Sequence, residues 1–298
     1  VQTLAQIKEL LEAHGLAPKK SMGQNFLIDH NLIRKLVDAS RVGPGDLVLE
    51  VGPGTGTMTE ELLARGCEVI ACEFDDGMAA LNAARLPGLP GGEKFKIIHA
   101  DCLSGKHAVN PAILDAIGGR AFSLVANLPY GAATPLMSLL LVEHPHCRLQ
   151  AITIQREVAD RLLAKPGTKD YGGLAVIAQA AARVERIASA PPECFWPRPD
   201  VTSSMVLLER LDTPLTPDLK LLSGFCRVIF AQRRKQLSSL LKPFDWERAK
   251  AFPGAGEGGT GGAGQIAPSL RAEQLSPVQI VWLMQAARDQ GWIPSPPP

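Results

Sequence analysis

Between Asp46 and Leu211 short apolar runs alternate with longer segments whose apolar residues return at helical spacing. "DLVLEVG" is followed by the helix-like "TMTEELLARG", then by "EVIACEFD". "KIIHADCL", "FSLVANLPY", "LQAITIQREVADRLLA" and, after another helix, "SSMVLLERL" continue the series. Strands that alternate with helices predict an α/β fold, a mainly parallel Rossmann-like sheet with helices on both faces. Past "LDTPLTPDL" the strand pattern stops. "LLSGFCRVIFAQRRKQLSSLL" and "SPVQIVWLMQAARDQG" both read as helices. A boundary near Thr213 follows, with the sheet domain over 1–212 and a small all-helical domain over 213–298. Within the latter, the low-complexity "GAGEGGTGGAG" (254–264) is expected to be a flexible loop, and "PSPPP" a solvated tail.

Composition narrows the function classes. With 46% apolar residues in 298 the chain can build a sizeable core, and wholesale disorder is excluded. A formal net charge of +1 carries no information about a partner, so any nucleic-acid signal must come from local clusters. Six scattered cysteines without a C-x-x-C pair point to reduced thiols rather than a disulfide frame or zinc site, and no metal is assigned. No apolar run approaches the roughly 18 residues of a membrane span. The opening "VQTLAQIKELLEAHGL" is amphipathic at helical spacing and lacks a signal peptide's apolar block. The sequence starts at Val1 rather than Met, consistent with processing or truncation. A cytoplasmic monomer is the expectation.

"VLEVGPGTG" (48–56) is a strand that enters a glycine turn and then a helix. Gly52, Gly54 and Gly56 let backbone approach a ligand closely, and the helix start offers free N–H groups. Glu73 ends the next strand, where a carboxylate accepts hydrogen bonds from both hydroxyls of a ribose; the plainer role is a solvated strand end. A dinucleotide fingerprint, G-x-G-x-x-G/A, would need a small residue where Thr57 stands. The spacing here is G-x-G-x-G preceded by Glu50, the form usual in enzymes that use S-adenosylmethionine. Asp101, at the end of the third strand in "HADCL", is placed to accept from an adenine amine, or to cap a helix.

The fourth strand ends in "NLPY" beside that cofactor cleft. Asn, Pro and Tyr are ordinary strand-end residues, but this set also has a chemistry. An adenine exocyclic amine is a poor nucleophile because its lone pair is delocalised into the ring. Two acceptors on its hydrogens, the Asn127 side-chain oxygen and the Leu128 carbonyl, pull it toward a tetrahedral, nucleophilic shape. Pro129 stiffens the turn, and Tyr130 offers a face for stacking of a flipped base.

With these motifs together, the chain resembles the ribosomal RNA adenine dimethyltransferase family, and within it the small-subunit branch. The resemblance implies dimethylation of two adjacent adenines near the 3′ end of small-subunit rRNA, with S-adenosylmethionine as methyl donor and a pre-ribosomal particle as substrate. Eight stretches carry it in order. They are "KKSMGQNFLID", "LEVGPGTGTMTEEL" with "CEFD", "HADCL", "NLPY", "QREVADRLLAKPGTKDYGGLAV", "CFWPRPDVTSSMV", "FAQRRKQLSSLL" and "RAEQLSP". By resemblance, residues 19–29 form a segment that covers the cofactor, with Asn25 and Leu27 touching it. Gly52, Glu73, Asp101 and Asn127 occupy further cofactor positions. Phe195 is implied to sandwich the target adenine against Tyr130, with Trp196 as the alternative ring. The chain departs from the family's Asn-Ile-Ser/Thr-Thr-Pro after "NLPY", reading "GAATP", so Gly131 and Ala132 remove side chains from the pocket rim.

RNA binding needs cations that neutralise phosphates. Arg233, Arg234 and Lys235 form the strongest cluster, in a stretch from Arg227 to Lys242 without an acid. Lys19 and Lys20 beside the covering segment are further candidates. Three functions stay open at this point: a small- or large-subunit rRNA adenine methylase, a non-catalytic ribosome-assembly RNA-binding factor, and a nicotinamide oxidoreductase, which Thr57 disfavours.

Overall fold

The computed structural model describes residues 2–19, 22–105, 107–242, 244–246 and 266–292. The glycine-rich stretch 254–264 and Lys20 lie outside the described residues. The chain divides into two compact units, Val1–Ala159 with Arg183–Arg210, and Asp160–Ala182 with Leu211–Pro298.

The first unit opens with α1 (Leu4–Ala13), β1 (Phe26–Leu27) and α2 (His30–Ser40). It continues through β2 (Leu47–Val51), α3 (Thr57–Ala64), β3 (Glu68–Glu73), α4 (Asp76–Arg85) and β4 (Phe95–His99). Then come α5 (Pro111–Ile117), β5 (Phe122–Asn127), α6 (Tyr130–Glu143), β6 (Cys147–Gln155) and the start of α7 (Arg156–Leu162). After α8 (Gly173–Ala181), which belongs to the second unit, the chain returns as β7 (Ala182–Ala190), β8 (Phe195–Trp196) and β9 (Ser203–Arg210).

Seven strands form one sheet in the order β4-β3-β2-β5-β6-β9-β7. Neighbours from β4 to β6 are parallel, and β9 is antiparallel to β6. Strand β2, "LVLEV", is buried at every position, as a central parallel strand covered on both faces must be. Its core neighbours include Ile33, Leu36 and Val37 of α2, Leu62 of α3, Val125 of β5 and Met205 of β9. Truncating one such leucine to alanine costs about 2–5 kcal/mol. Strand order reverses between β2 and β5. In open α/β sheets the crevice at the carboxyl ends of strands flanking such a reversal is where ligands bind.

Helix starts follow local capping chemistry. Asp29 accepts from the N–H groups of Asn31 and Leu32 to start α2, and Asp75 accepts from Met78 to start α4. Three strands have no counterpart in the sequence reading: the two-residue β1 and β8, which pair with each other, and β7 of the main sheet. β7 carries Arg183, Glu185 and Arg186, and it lies at the sheet edge, where one side of a strand faces water and charge is tolerated. Arg183 pairs there with Glu209 of β9, 2.5 Å away.

The second unit is helical. Ala175, Val176 and Ala178 of α8 are buried, as are Leu222, Phe225, Cys226 and Ile229 of α9 (Leu219–Phe230), and the two helices pack together. A Cβ on Gly173 would lie 3.2 Å from that of Cys226, so the glycine permits the close approach. The buried Tyr171 hydroxyl donates to the Leu275 carbonyl at 2.8 Å, just ahead of α11 (Pro277–Asp289). These contacts draw residues 160–182 into the helical unit, which a single cut at Thr213 leaves with the sheet. The long helix expected over 221–241 is also interrupted. α9 ends at Phe230, a turn covers 231–235, and α10 (Leu237–Leu240) follows.

Candidate active site

A cavity of about 300 Å³ opens at the carboxyl ends of β2, β3, β4 and β5. Met22–Leu27 of the covering segment form one wall. Gly52 to Thr55 of the glycine turn, Glu73, Asp101 and the four residues of "NLPY" are among the residues that form the rest.

The turn after β2 is braced from behind. Asn82, fully buried on α4, donates to the Gly54 carbonyl at 2.7 Å. Gln2 and Arg85 both donate to the Thr55 carbonyl, at 2.9 and 2.8 Å. Gly52 and Gly54 have positive φ, and a Cβ on either would meet protein rather than ligand. It would lie 3.2 Å from the Pro129 ring at Gly52 and 2.8 Å from the Phe26 ring at Gly54. Their N–H groups donate to Cys72 and Glu73. Gly56 does not line the cavity. It packs against Asn82 and Arg85 and starts α3, whose first turn has no side-chain cap. The glycines therefore draw the covering segment and the "NLPY" turn inward as well as leaving room for a ligand.

Glu73 is 7% exposed. Oε2 accepts from Gly54 N at 3.2 Å and Oε1 from Asp75 N at 2.9 Å. Burial pushes its carboxyl above the usual range, and the backbone N–H donors offset part of that rise. Each oxygen keeps lone pairs for a ribose hydroxyl. Glu50, 2% exposed, also lines the cavity; it accepts from the Thr59 hydroxyl at 2.7 Å, and burial pushes it up to about 8. Asp101 is exposed. Its Oδ1 accepts from Leu103 N at 2.9 Å, which orients the carboxylate at the cavity edge.

At the other end Asn127 donates from Nδ2 to the Asn25 carbonyl at 3.0 Å, which leaves Oδ1 as its acceptor atom. In the first turn of α6 the N–H groups of Ala132 and Ala133 donate to the Pro129 carbonyl. Among the described residues no backbone N–H outside the regular elements donates to Leu128 O. The hydroxyls of Tyr130 and Ser203 are hydrogen-bonded at 2.7 Å, which sets the tilt of the half-buried ring. Ala132 lines the cavity, while a Cβ on Gly131 would meet open space.

Several expected residues are placed elsewhere. Phe195 is 2% exposed within the sheet core and does not line the cavity, so the expected sandwich partner is a packing residue. Pairing of β8 with β1 sets it opposite Leu27, which is likewise core-buried although it reaches the cavity wall. Trp196 packs against Phe26, ring centroids 6.3 Å apart. Lys19 pairs with the buried Asp75 at 2.6 Å, so its charge anchors the covering segment rather than standing free. That pairing holds Asp75 below the usual carboxylate range against the opposing effect of burial. In the helical unit Arg233 is tied to Glu273 and to the Thr168 carbonyl, whereas Arg234 and Lys235 are exposed on the turn. Asn82, Arg85 and Gln2 were not singled out in the sequence, because bracing the turn requires α4 and the N-terminus to fold back onto it. Phe74, 59% exposed where it lines the cavity, had a readable signal: an apolar residue directly after the acid that ends β3.

The sequence profile of the ribosomal RNA adenine dimethylase family matches residues 15–252. The chain belongs to this family. It is 40% identical over 240 residues to the ribosomal RNA small subunit methyltransferase A of Geobacillus kaustophilus (strain HTA426), covering 80% of each chain. It is 38% identical over 291 residues to the enzyme of the same name from Shouchella clausii (strain KSM-K16), covering 96% of this chain and 95% of the relative. The fold matches the crystal structure of a dimethyladenosine transferase from Plasmodium falciparum with a TM-score of 0.67 at 19% identity, over 88% of this chain and 97% of that one. The family member described here is thus an S-adenosylmethionine-dependent methyltransferase. The cavity fits that cofactor on its own evidence: a carboxylate with two oxygens pre-oriented by backbone donors, a second carboxylate at the edge, and an exposed ring in the lining.

Proposed function

We propose that this protein dimethylates the exocyclic amines of two adjacent adenines near the 3′ end of small-subunit rRNA, acting as a monomer on a pre-ribosomal particle in the cytoplasm. The observation that carries the reading is Asn127. Its amide nitrogen is bound to the Asn25 carbonyl, which leaves the oxygen as the acceptor atom of a side chain that lines the same cavity as Glu73 and Asp101. Small-subunit rather than large-subunit rRNA is supported by the names of the relatives that match along most of the chain.

When bound, S-adenosylmethionine supplies an electrophilic methyl group on a sulfonium. Glu73 holds the ribose, and Asp101 accepts from the cofactor's adenine. Asn127 Oδ1 and the Leu128 carbonyl each accept a hydrogen of the target amine, localising its lone pair on nitrogen. Pro129 keeps the two acceptors at a fixed spacing, and Tyr130 stacks on the flipped base. No strong base is required, because the proton is lost after the amine has become cationic. In the second round one N–H remains, so one acceptor suffices while the rim beside Ala132 admits the larger amine.

RNA phosphates are held by the helical unit. Arg234 and Lys235 are exposed on the basic turn beside Arg233, which is exposed too but paired with Glu273, and Lys235 shares a surface groove with Arg227, Gln232 and Ser239. Unmethylated small-subunit particles incubated with methyl-labelled S-adenosylmethionine test the whole assignment. Dimethyladenine at two adjacent positions is expected; label on another base or on protein overturns it.

A further inference from the structure

The covering segment touches the cavity at three separated places. Lys19 pairs with Asp75 beyond the end of β3. The Phe26 ring occupies the space that a side chain at position 54 would fill. Between these anchors the Asn25 carbonyl accepts from Asn127 Nδ2. Asn25 is held in shape locally: its own Nδ2 donates to the Gly23 carbonyl at 3.0 Å, and Gln24 Oε1 accepts from Lys19 N at 2.8 Å.

A primary amide has a donor end and an acceptor end, and rotation about its last torsion exchanges them. The reaction needs the acceptor end toward the amine. We infer that the backbone carbonyl of Asn25 is the positioning group that sets this orientation, so that seating of the covering segment and readiness of Asn127 are one event. This rests on the proposed role of Asn127 as amine acceptor. It also gives a reason for asparagine rather than aspartate at position 127. A carboxylate could accept from the amine equally well, but it has no donor for the Asn25 carbonyl and would face that oxygen with like charge.

Two measurements on the full chain decide it, both with S-adenosylhomocysteine as the probe ligand. In the first, backbone amide exchange of residues 24–27 is compared between wild type and Asn127→Asp. Exchange is expected to speed about tenfold or more there while α3 stays protected; unchanged exchange at 24–27 overturns the inference. The second leaves Asn127 intact. Its side-chain amide protons, assigned by their disappearance in Asn127→Ala, are expected to be protected in wild type. They should lose that protection in Asp75→Asn, which keeps the α4 cap but breaks the distant ion pair with Lys19. If exchange at residues 22–24 rises while the Asn127 amide stays protected, segment and side chain are not coupled, and the inference fails. Neither outcome bears on whether Asn127→Ala still transfers methyl groups, so the inference and the proposed function fail separately.

Discussion

At the acidic end of the cavity Glu73 is held by the N–H groups of Asp75 and Gly54, two and 19 residues away. At the amine end Asn127 is held by a carbonyl 102 residues away, and Tyr130 by a hydroxyl 73 residues away. Backbone donors next to a strand end come into place with the strand itself and need no side chain to be ordered. A side-chain contact across the fold must offset the entropy of both partners with a net gain of about 0.5–1.5 kcal/mol. The end at Glu73 is therefore built by the sheet, and the end at Asn127 and Tyr130 is completed only when the N-terminal segment and β9 are in place.

The strongest way to break this contrast is Glu73→Ala. If Glu73 holds the ribose as proposed, the change removes two charge-assisted hydrogen bonds, each about 1.5–3 kcal/mol, and S-adenosylhomocysteine affinity by calorimetry should fall a hundredfold or more. Unchanged affinity would take Glu73 out of the site. Asn127→Ala acts at the other end. Loss of one transition-state acceptor costs about 2.7–4 kcal/mol, so single-turnover transfer should slow by two to three orders of magnitude with cofactor affinity little changed. A parallel loss of cofactor affinity would mean that the two ends are not separable.

Glu50 sharpens the acidic end through pH. Its carboxyl is raised to about 8 by burial, while the unfolded chain ionises it near its ordinary value of about 4.3. The group's contribution to stability is therefore full below about 4.3 and is lost as pH rises through 8, by roughly 1.4 kcal/mol per unit. Glu50→Gln should remove that slope. Urea midpoints of the variant and wild type should agree near pH 4, with the variant ahead by on the order of a few kcal/mol at pH 8. Parallel curves would mean that Glu50 is already ionised in the folded protein.

Ser203→Ala gives the smallest effect. It leaves the Tyr130 hydroxyl without its partner, at about 0.5–1.5 kcal/mol, so transfer should slow about two- to tenfold. Tyr130→Phe should match it, and the double variant should add nothing further, because both remove the same contact. Additive losses would show that Ser203 acts on something other than the tyrosine.

Much of the site could be read before folding was considered. The strand–turn–helix at "VGPGTG", Glu73 at the end of the next strand, Asp101 after the third and "NLPY" after the fourth all follow from where an apolar run stops and which residues stand there. The sheet then brings these ends together, because parallel strands in a doubly wound order present their carboxyl ends to one crevice. Phe195 shows the limit. Its neighbours in sequence resemble those of a stacking ring, but pairing of β1 with β8 turns it into the core.

Six strands, β2 to β6 and β9, were legible in their order in the sequence by itself, as were the ends of two of them at Glu73 and Asn127, since these depend on spacing and on groups within a few positions. Only the tertiary structure decided that Lys19 is bound to Asp75 and Arg233 to Glu273, that β7 is an edge strand, and that residues 160–182 join the helical unit. It alone set which end of the Asn127 amide is bound to the Asn25 carbonyl. The reason is common to all of these. A charge, an amide or an amphipathic segment has several partners it could satisfy equally well, and which one it meets depends on residues far along the chain that packing brings within about 3 Å.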